Sequence, residues 1–449
     1  MSTELITRGT GVAPKRSVTG LIILLTAICV ADGFDLTVFA TALPVLLKTQ
    51  KWGITAVSAG NVASIQMVGL LAGALVSGYL GDRFGRRKTA IGNLVVFSVF
   101  TGLMAVAPNL AVVAALRFLG GLGLGGIIPV LIALVAEYSP ADRRYLNNTI
   151  MLAGTGVGAF LAPLSGALLL PHADIRWLFA EGGFVALLVL VPLAVLFLPE
   201  SAHFLRARGR TDDADRLAER YALTETPDEE PHPHEAKVRI RSLFTGPLLL
   251  RTLAILITEF FVFGIALGLL STWLPQYLVL SGFQISSALA FSTVTGVAMV
   301  IGGVLGGMLQ DRLGGRLVVI GYSLLGSIGL LVLGFALQAP TAIYVVVFIL
   351  GFANMLYLIH GLVANSYPAE ARSTMLGLAF GVGRVGSIVA TLAGGWLIAA
   401  HLEPRWNFWA WIVPMLVPAL ALAFVRVDRT GAARSAESAR AEAHTPSSM

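Results

Sequence analysis

Apolar stretches of about twenty residues recur so often along this chain that no water-soluble fold can house them. A helix needs roughly 20 apolar residues to cross the hydrocarbon core of a bilayer, and inside that core every backbone polar group must be satisfied within the segment. The runs that meet this length cover residues 19–46, 57–80, 89–107, 111–136, 146–170, 177–198, 250–274, 286–309, 317–338, 341–365, 374–399 and 407–426. With 56% hydrophobic and 12% charged residues, and a mean hydropathy of +0.81, the expectation is an all-α integral membrane protein of twelve transmembrane helices. The first run is too long for a cleavable signal peptide and lacks its small-residue cleavage pattern. The one cysteine, Cys29, excludes an internal disulfide.

An isoelectric point near 9.6 would ordinarily raise nucleic-acid binding, but the placement of charge explains it otherwise. With the N-terminus placed in the cytoplasm, 25 of the 31 Lys and Arg residues fall in, or at the edges of, the inner segments and 4 in the outer ones. The remaining two, Arg117 and Arg384, lie inside spans. Positive charge on inner loops sets orientation, so both termini are expected in the cytoplasm and no nucleic-acid partner is implied. The chain divides into an N-terminal tail (1–17), a six-helix half (18–198), a central loop (199–247), a second six-helix half (248–427) and an unstructured tail (428–449). Within the central loop, His232, His234 and Glu235 have the makings of a metal cluster. The surrounding Pro- and Glu-rich composition reads as a linker instead, so no metal site and no cofactor are expected.

The halves repeat. Gly78-Tyr79-Leu80-Gly81-Asp82-Arg83-Phe84-Gly85-Arg86 aligns with Gly307-Met308-Leu309-Gln310-Asp311-Arg312-Leu313-Gly314-Gly315 at an offset of 229 residues, and Arg176-Trp177 aligns with Arg405-Trp406 at the same offset. Tyr138-Ser139-Pro140-Ala141-Asp142-Arg143 answers Ser366-Tyr367-Pro368-Ala369-Glu370-Ala371-Arg372. Parallel halves of this kind build rocking transporters whose site lies between them.

Chemistry concentrates at a few intramembrane polar residues. Asp32 and Asp35 interrupt the first apolar run, where a charged, unpaired carboxylate costs about 2.5–3.5 kcal/mol on insertion scales. Their i, i+3 spacing puts both on one helix face, and Gly33 between them permits close approach of another helix or a ligand. A carboxyl out of water favours its neutral form, which suits a group that takes up and releases a proton. The alternative is a static ion pair. Arg117 and Arg384, one per half, stay charged and each require an anion, either a span-1 carboxylate or a substrate carboxylate gripped by the guanidinium fork. Arg117 is expected in the proton switch and Arg384 nearer the substrate. Glu259, level with Val30 by the repeat, and His360 are further titratable candidates, against the plain reading of polar residues near span ends. Phe260, Phe261, Phe263, Trp273 and Tyr277 could stack on a planar ring or simply face lipid. Glu181 is less informative.

The Gly-x-Leu-x-Asp-Arg-x-Gly-Arg-Arg loop from Gly78 to Arg87, with its echo after the eighth span, resembles the major facilitator superfamily. Within it, Asp32-Gly33-Phe34-Asp35 resembles the aromatic acid:proton symporters. So do Arg117-Phe118-Leu119-Gly120-Gly121-Leu122-Gly123-Leu124-Gly125-Gly126, Trp273-Leu274-Pro275 and Gly383-Arg384-Val385-Gly386. The chain departs from that family at Tyr357-Leu358-Ile359-His360-Gly361, where a Gly/Gln-rich stretch is usual, and at Ala390-Thr391, where a proline is frequent. The resemblance implies a conformational latch built from Gly78, Asp82, Arg83, Gly85, Arg86, Arg87 and Glu137, with Asp311 and Arg312 as its echo. It also implies import of a benzoate-type acid across the inner membrane with protons, Asp32, Asp35, Arg117 and Glu259 handling the proton. Asp32, Asp35, Arg117, Arg384, His360 and Trp273 would contact substrate. The expected partners are a small organic anion, protons and the lipid bilayer, in a functional monomer. Rival readings are a dicarboxylate carrier, a drug:proton antiporter (Gly154, Gly156, Gly158 and Pro163 loosely suit one) and, from another class, a membrane sensor. An enzyme is not expected, since the spans offer no nucleophile–base pair.

Overall fold

The computed structural model describes residues 18–140, 143–221, 243–246, 248–337, 339–367 and 369–425. The charged cluster at His232 to Glu235 and both tails lie outside these residues. Twelve helices are long and apolar enough to span a membrane. They are α1 (Val18–Thr49), α2 (Ala56–Phe84), α3 (Arg86–Val106), α4 (Leu110–Tyr138), α5 (Leu146–Leu169), α6 (Arg176–Phe197), α7 (Leu248–Leu280), α8 (Ile285–Gln310), α9 (Gly315–Ala336), α10 (Thr341–Val363), α11 (Thr374–Ala399) and α12 (Pro404–Ala423). Each begins or ends within a few residues of its expected boundary, α7 excepted, which runs six residues further. Two short helices, Ala202–Ala207 and Thr211–Tyr221, follow α6 in the central loop.

The repeat is visible in the backbone. Gly85, between α2 and α3, has φ of 97°, and Gly314, between α8 and α9, has φ of 87°. Such dihedrals are open to glycine at little cost, so both halves make the same tight turn with the same residue. At Gly85 a side chain would also strike the Glu200 carboxylate.

Helices α6, α7 and α10 are irregular within their spans, α6 through a π-helical stretch at Ala186–Leu190. In α7 the stretch Gly264–Trp273 is π-helical. Pro275 follows and lacks the N–H that would continue the regular ladder, while the hydroxyls of Ser271 and Thr272 bond carbonyls five residues back, at Ala266 and Leu267. Helix α10 is broken: one part ends at Phe352 and the next begins at Leu356. Between them Asn354, 2% exposed, turns its Oδ1 onto the Leu356 N–H at 2.8 Å. Asparagine side chains compete with the helix ladder in this way, and irregular backbone at membrane depth is tolerated only where protein or a cavity covers it.

The halves meet along a seam at the end of the bundle opposite the termini. Glycines set its closeness: Gly60 of α2 abuts the Thr391 carbonyl, Gly395 and the Trp273 ring, and Gly395 abuts the Ala56 carbonyl. On the other side Gly296 of α8 sits against Phe160 of α5. Ser64 donates to the Ile388 carbonyl across the seam at 3.2 Å. Leu43, Leu46 and Ile54 share one apolar core there with Trp273, Leu274 and Tyr277. The packing closes one end of the bundle and leaves the polar residues below it between the halves.

Candidate functional site

Helix α1 carries the two carboxylates into the bundle because α5 approaches it closely. A Cβ on Gly33 would overlap the Thr155 backbone, and one on Gly158 would overlap the backbone at Val30 and Phe34. Asp32 and Asp35 are 2% and 1% exposed, so both stand off lipid and water, but their surroundings differ.

Asp35 is enclosed by its own half. Gln66 of α2 donates to its Oδ2 at 2.9 Å, and the Thr101 hydroxyl of α3 donates to its Oδ1. Arg117 of α4 lies 3.9 Å away, reaches the Asp35 carbonyl at 3.4 Å and rests over the Phe39 ring at 5.0 Å. The arginine–carboxylate pair foreseen for Arg117 therefore forms with Asp35. Gln66 and Thr101 were missed by sequence reasoning, although a glutamine in the middle of an apolar run is itself a signal.

Asp32 has no comparable shell. Among the described residues no side chain donates it a hydrogen bond, and its nearest opposite charge is Arg384, from α11 in the other half. Arg384 makes no side-chain hydrogen bond to the described residues either; its guanidinium lies over the Phe263 ring at 5.6 Å. Beside it, His360 stacks on Phe380 with ring centroids 4.2 Å apart and meets Phe263 edge-on at 5.9 Å. Phe380 is 41% exposed. The His360 Nε2 is 3.9 Å from Glu259 Oε1. Arg384, His360, Phe263 and Phe380 thus form one cluster in the C-terminal half, and Asp32 of α1 is the carboxylate of the other half that acts on Arg384. Phe380 was not foreseen.

Trp273 sits elsewhere. It is fully buried in the seam, where its Nε1 donates to the Thr391 carbonyl at 2.9 Å and its ring stacks on Tyr277. The indole is spent on closing the bundle, not on the Arg384 cluster.

At the opposite end, a collar ties the α2–α3 turn to the central loop. Arg86 pairs with Glu137, and the Ser201 hydroxyl donates to the same carboxylate at 2.9 Å. Glu200 accepts from the Arg87 backbone N–H at 3.0 Å, and the Arg87 side chain donates to the Val195 carbonyl. Arg83 bonds the Tyr79 hydroxyl at 2.7 Å. Asp82 is exposed; the contacts of this turn run instead from Arg86 to Glu137 of α4 and from the Arg87 backbone N–H to Glu200 of the loop. Gly78 has open space beside it. Arg312 is exposed, and the side chain of Asp311 lies outside the described ones.

A Major Facilitator Superfamily model matches residues 25–360 and, in an overlapping second match, 290–448. The chain belongs to that superfamily. It is 30% identical over 412 residues to the benzoate transport protein of Acinetobacter baylyi, covering 88% of this chain and 87% of that one. With the gallate transporter of Pseudomonas putida it shares 33% identity over 416 residues, 90% of each chain. With the 4-hydroxybenzoate transporter PcaK of Pseudomonas putida it shares 32% over 416 residues, 91% of each. Among solved structures, a partially occluded inward-open form of the xylose transporter XylE from E. coli superposes with a TM-score of 0.74 at 18% identity, over 92% of this chain and 99% of that one. The latter likeness is one of fold. Twelve spans in two halves therefore make this a multi-pass membrane protein of a transporter superfamily, and its relatives are transporters, not enzymes.

Proposed function

We propose that the protein is a proton-coupled symporter carrying an aromatic carboxylate of the benzoate or hydroxybenzoate type into the cell across the inner membrane. The observation that carries this reading is the action of Asp32 and Arg384 on each other across the two halves, with neither side chain hydrogen-bonded among the described residues. Arginine grips carboxylates through paired N–H donors, and the Arg384 fork has no such partner among the described residues. Aromatic pairs contribute about 0.5–1.5 kcal/mol beyond area burial, and the exposed Phe380 offers a ring face beside that fork. The substrate carboxylate takes Arg384 while a proton takes Asp32, so neither charge is left unpaired between the halves. The halves then rock, and both ligands leave on the cytoplasmic side. The names of the relatives, benzoate, gallate and 4-hydroxybenzoate transporters, support the same substrate class.

Asp35, Arg117 and Trp273 act indirectly in this reading, by fixing α1 and the seam. A dicarboxylate fits less well, because Arg117 is engaged by Asp35 and no second guanidinium among the described residues stands by Arg384 to take another charge. Asp32 and Arg384 both come from one chain, so a monomer suffices, with both termini cytoplasmic and the proton gradient as the energy source.

The test is uptake into proteoliposomes with an imposed pH gradient, comparing benzoate, hydroxybenzoates, a dicarboxylate and benzamide. Accumulation of the aromatic acids alone is expected. Equal uptake of benzamide would remove the carboxylate–Arg384 contact, and accumulation with neither a pH gradient nor a membrane potential would remove proton coupling.

A further inference from the structure

Glu259 is the polar group least accounted for by the cycle above. It lies on α7, is 0% exposed, and neither carboxylate oxygen has a hydrogen-bond partner among the described residues. A charged carboxylate in such a place is very costly; a neutral one, or one sharing a proton with a base, is not. The one base within reach is His360 of α10, whose Nε2 also lacks a hydrogen-bond partner and stands 3.9 Å from Oε1. The two differ in access: the His360 side chain is 23% exposed while that of Glu259 is 0%.

We propose that Glu259 and His360 hold a second transported proton, so that each carboxylate is carried with two protons rather than one. The inference rests on the proton-coupled reading above and assigns its second proton to the C-terminal half. The Glu259 carboxyl keeps the proton in the occluded site. On release, its O–H gives the proton to His360 Nε2, leaving a carboxylate and an imidazolium, and the imidazolium gives it to water through its exposed edge. Reloading reverses these steps.

The neighbouring charges give the transfer its timing. Arg384 of α11 is the cation that acts on His360, and Asp32 of α1 acts on Arg384. Tyr357, the other titratable group on this part of α10, lies toward Asp32 and Cys29. While a substrate carboxylate neutralises Arg384, an imidazolium beside it is tolerated. Once the substrate leaves, the bare guanidinium repels it and the proton follows. Substrate and proton are thereby released together, as symport requires. Asp35 cannot serve as this second carrier while it is held by Gln66, Thr101 and Arg117.

With the membrane potential clamped at zero, one pH unit drives about tenfold accumulation of a monoanion per coupled proton. The wild-type protein is expected to reach about a hundredfold in proteoliposomes, and Glu259→Gln about tenfold. A wild-type value near tenfold overturns the proposal while leaving single-proton symport standing, and needs no variant to fold. A hundredfold value in both proteins places the second proton elsewhere and also overturns it. If wild-type protein does not accumulate substrate at all, the proton-coupled reading itself fails.

Discussion

Asp35 and Asp32 are one helical turn apart on the same face of α1, yet they live in different electrostatic worlds. Asp35 receives two side-chain hydrogen bonds and an arginine, all from α2, α3 and α4 of its own half. Asp32 receives no hydrogen bond from the described residues and looks across to Arg384 in the other half. A charge satisfied inside one rigid body moves with that body and reports nothing about the rocking of the halves. A charge whose counter-ion belongs to the other body feels every step. In the proposed cycle the comparison separates an anchoring carboxylate from a switching one, although their spacing makes them look like a matched pair.

The strongest way to break the comparison is to neutralise each carboxylate in turn. Asp32→Asn should remove one of the two coupled protons, lowering the hundredfold gradient expected per pH unit to about tenfold, while substrate exchange persists. A hundredfold gradient in that variant would remove Asp32 from the switch. Removing Arg117 tests the other side. Arg117→Ala leaves Asp35 buried without its cation, and breaking one partner of a buried pair costs about 3–5 kcal/mol. A large fall in thermal stability in detergent is expected, and the double variant with Asp35→Asn should recover part of it. Unchanged stability would mean the pair is not an anchor.

A smaller effect sharpens the Arg384 side of the comparison. Arg384→Lys keeps the charge but loses the planar fork, so the half-saturation constant for benzoate-type acids should rise about tenfold, the cost of one weakened charge-assisted contact. An unchanged constant would move the substrate carboxylate to another donor.

The smallest effect belongs to the surface. Lys51 and Asp174 pair at 3.2 Å, the aspartate side chain 58% exposed. The Arg176 backbone N–H, and then Lys51, hold the Asp174 carboxyl below its ordinary range. Its contribution is present above the unfolded-state value and is lost as pH falls through the lower folded-state value. Solvent screening keeps an exposed pair within about 1 kcal/mol, so Asp174→Asn should shift the melting temperature barely at all, and less still in high salt.

Much of this was legible in the chain because lipid makes hydropathy decisive. Twelve runs became twelve helices, and the 229-residue repeat returned as matching positive-φ glycines at 85 and 314. The costly residues Asp32, Asp35, Arg117, Arg384, Glu259 and His360 did turn inward, since few can afford to face lipid. Their pairing was not legible. Which arginine meets which carboxylate depends on helix rotation, and spacing along one helix says nothing about rotation of its neighbour. The break in α10 was hidden for a similar reason: Asn354 ends a helix only because its side chain folds back onto the Leu356 N–H. The contacts of the collar were hidden too, as Asp82 lies next to the arginines in sequence while it is Glu137 of α4 that meets Arg86 in space.

The seam at one end and the collar at the other are fastened by different means. Close glycine contacts, an indole and one hydroxyl hold the first; a partly exposed ion pair, its Arg86 and Glu137 side chains 28% and 18% exposed, and the charged hydrogen bonds around it hold the second. Ionic strength screens exposed charges over about 8–10 Å at physiological concentrations, whereas apolar packing is strengthened by kosmotropic salts. Sulfate and chloride are therefore unequal handles on the two ends of the molecule, and a salt series run in both anions separates the loosening of one face from the opening of the other.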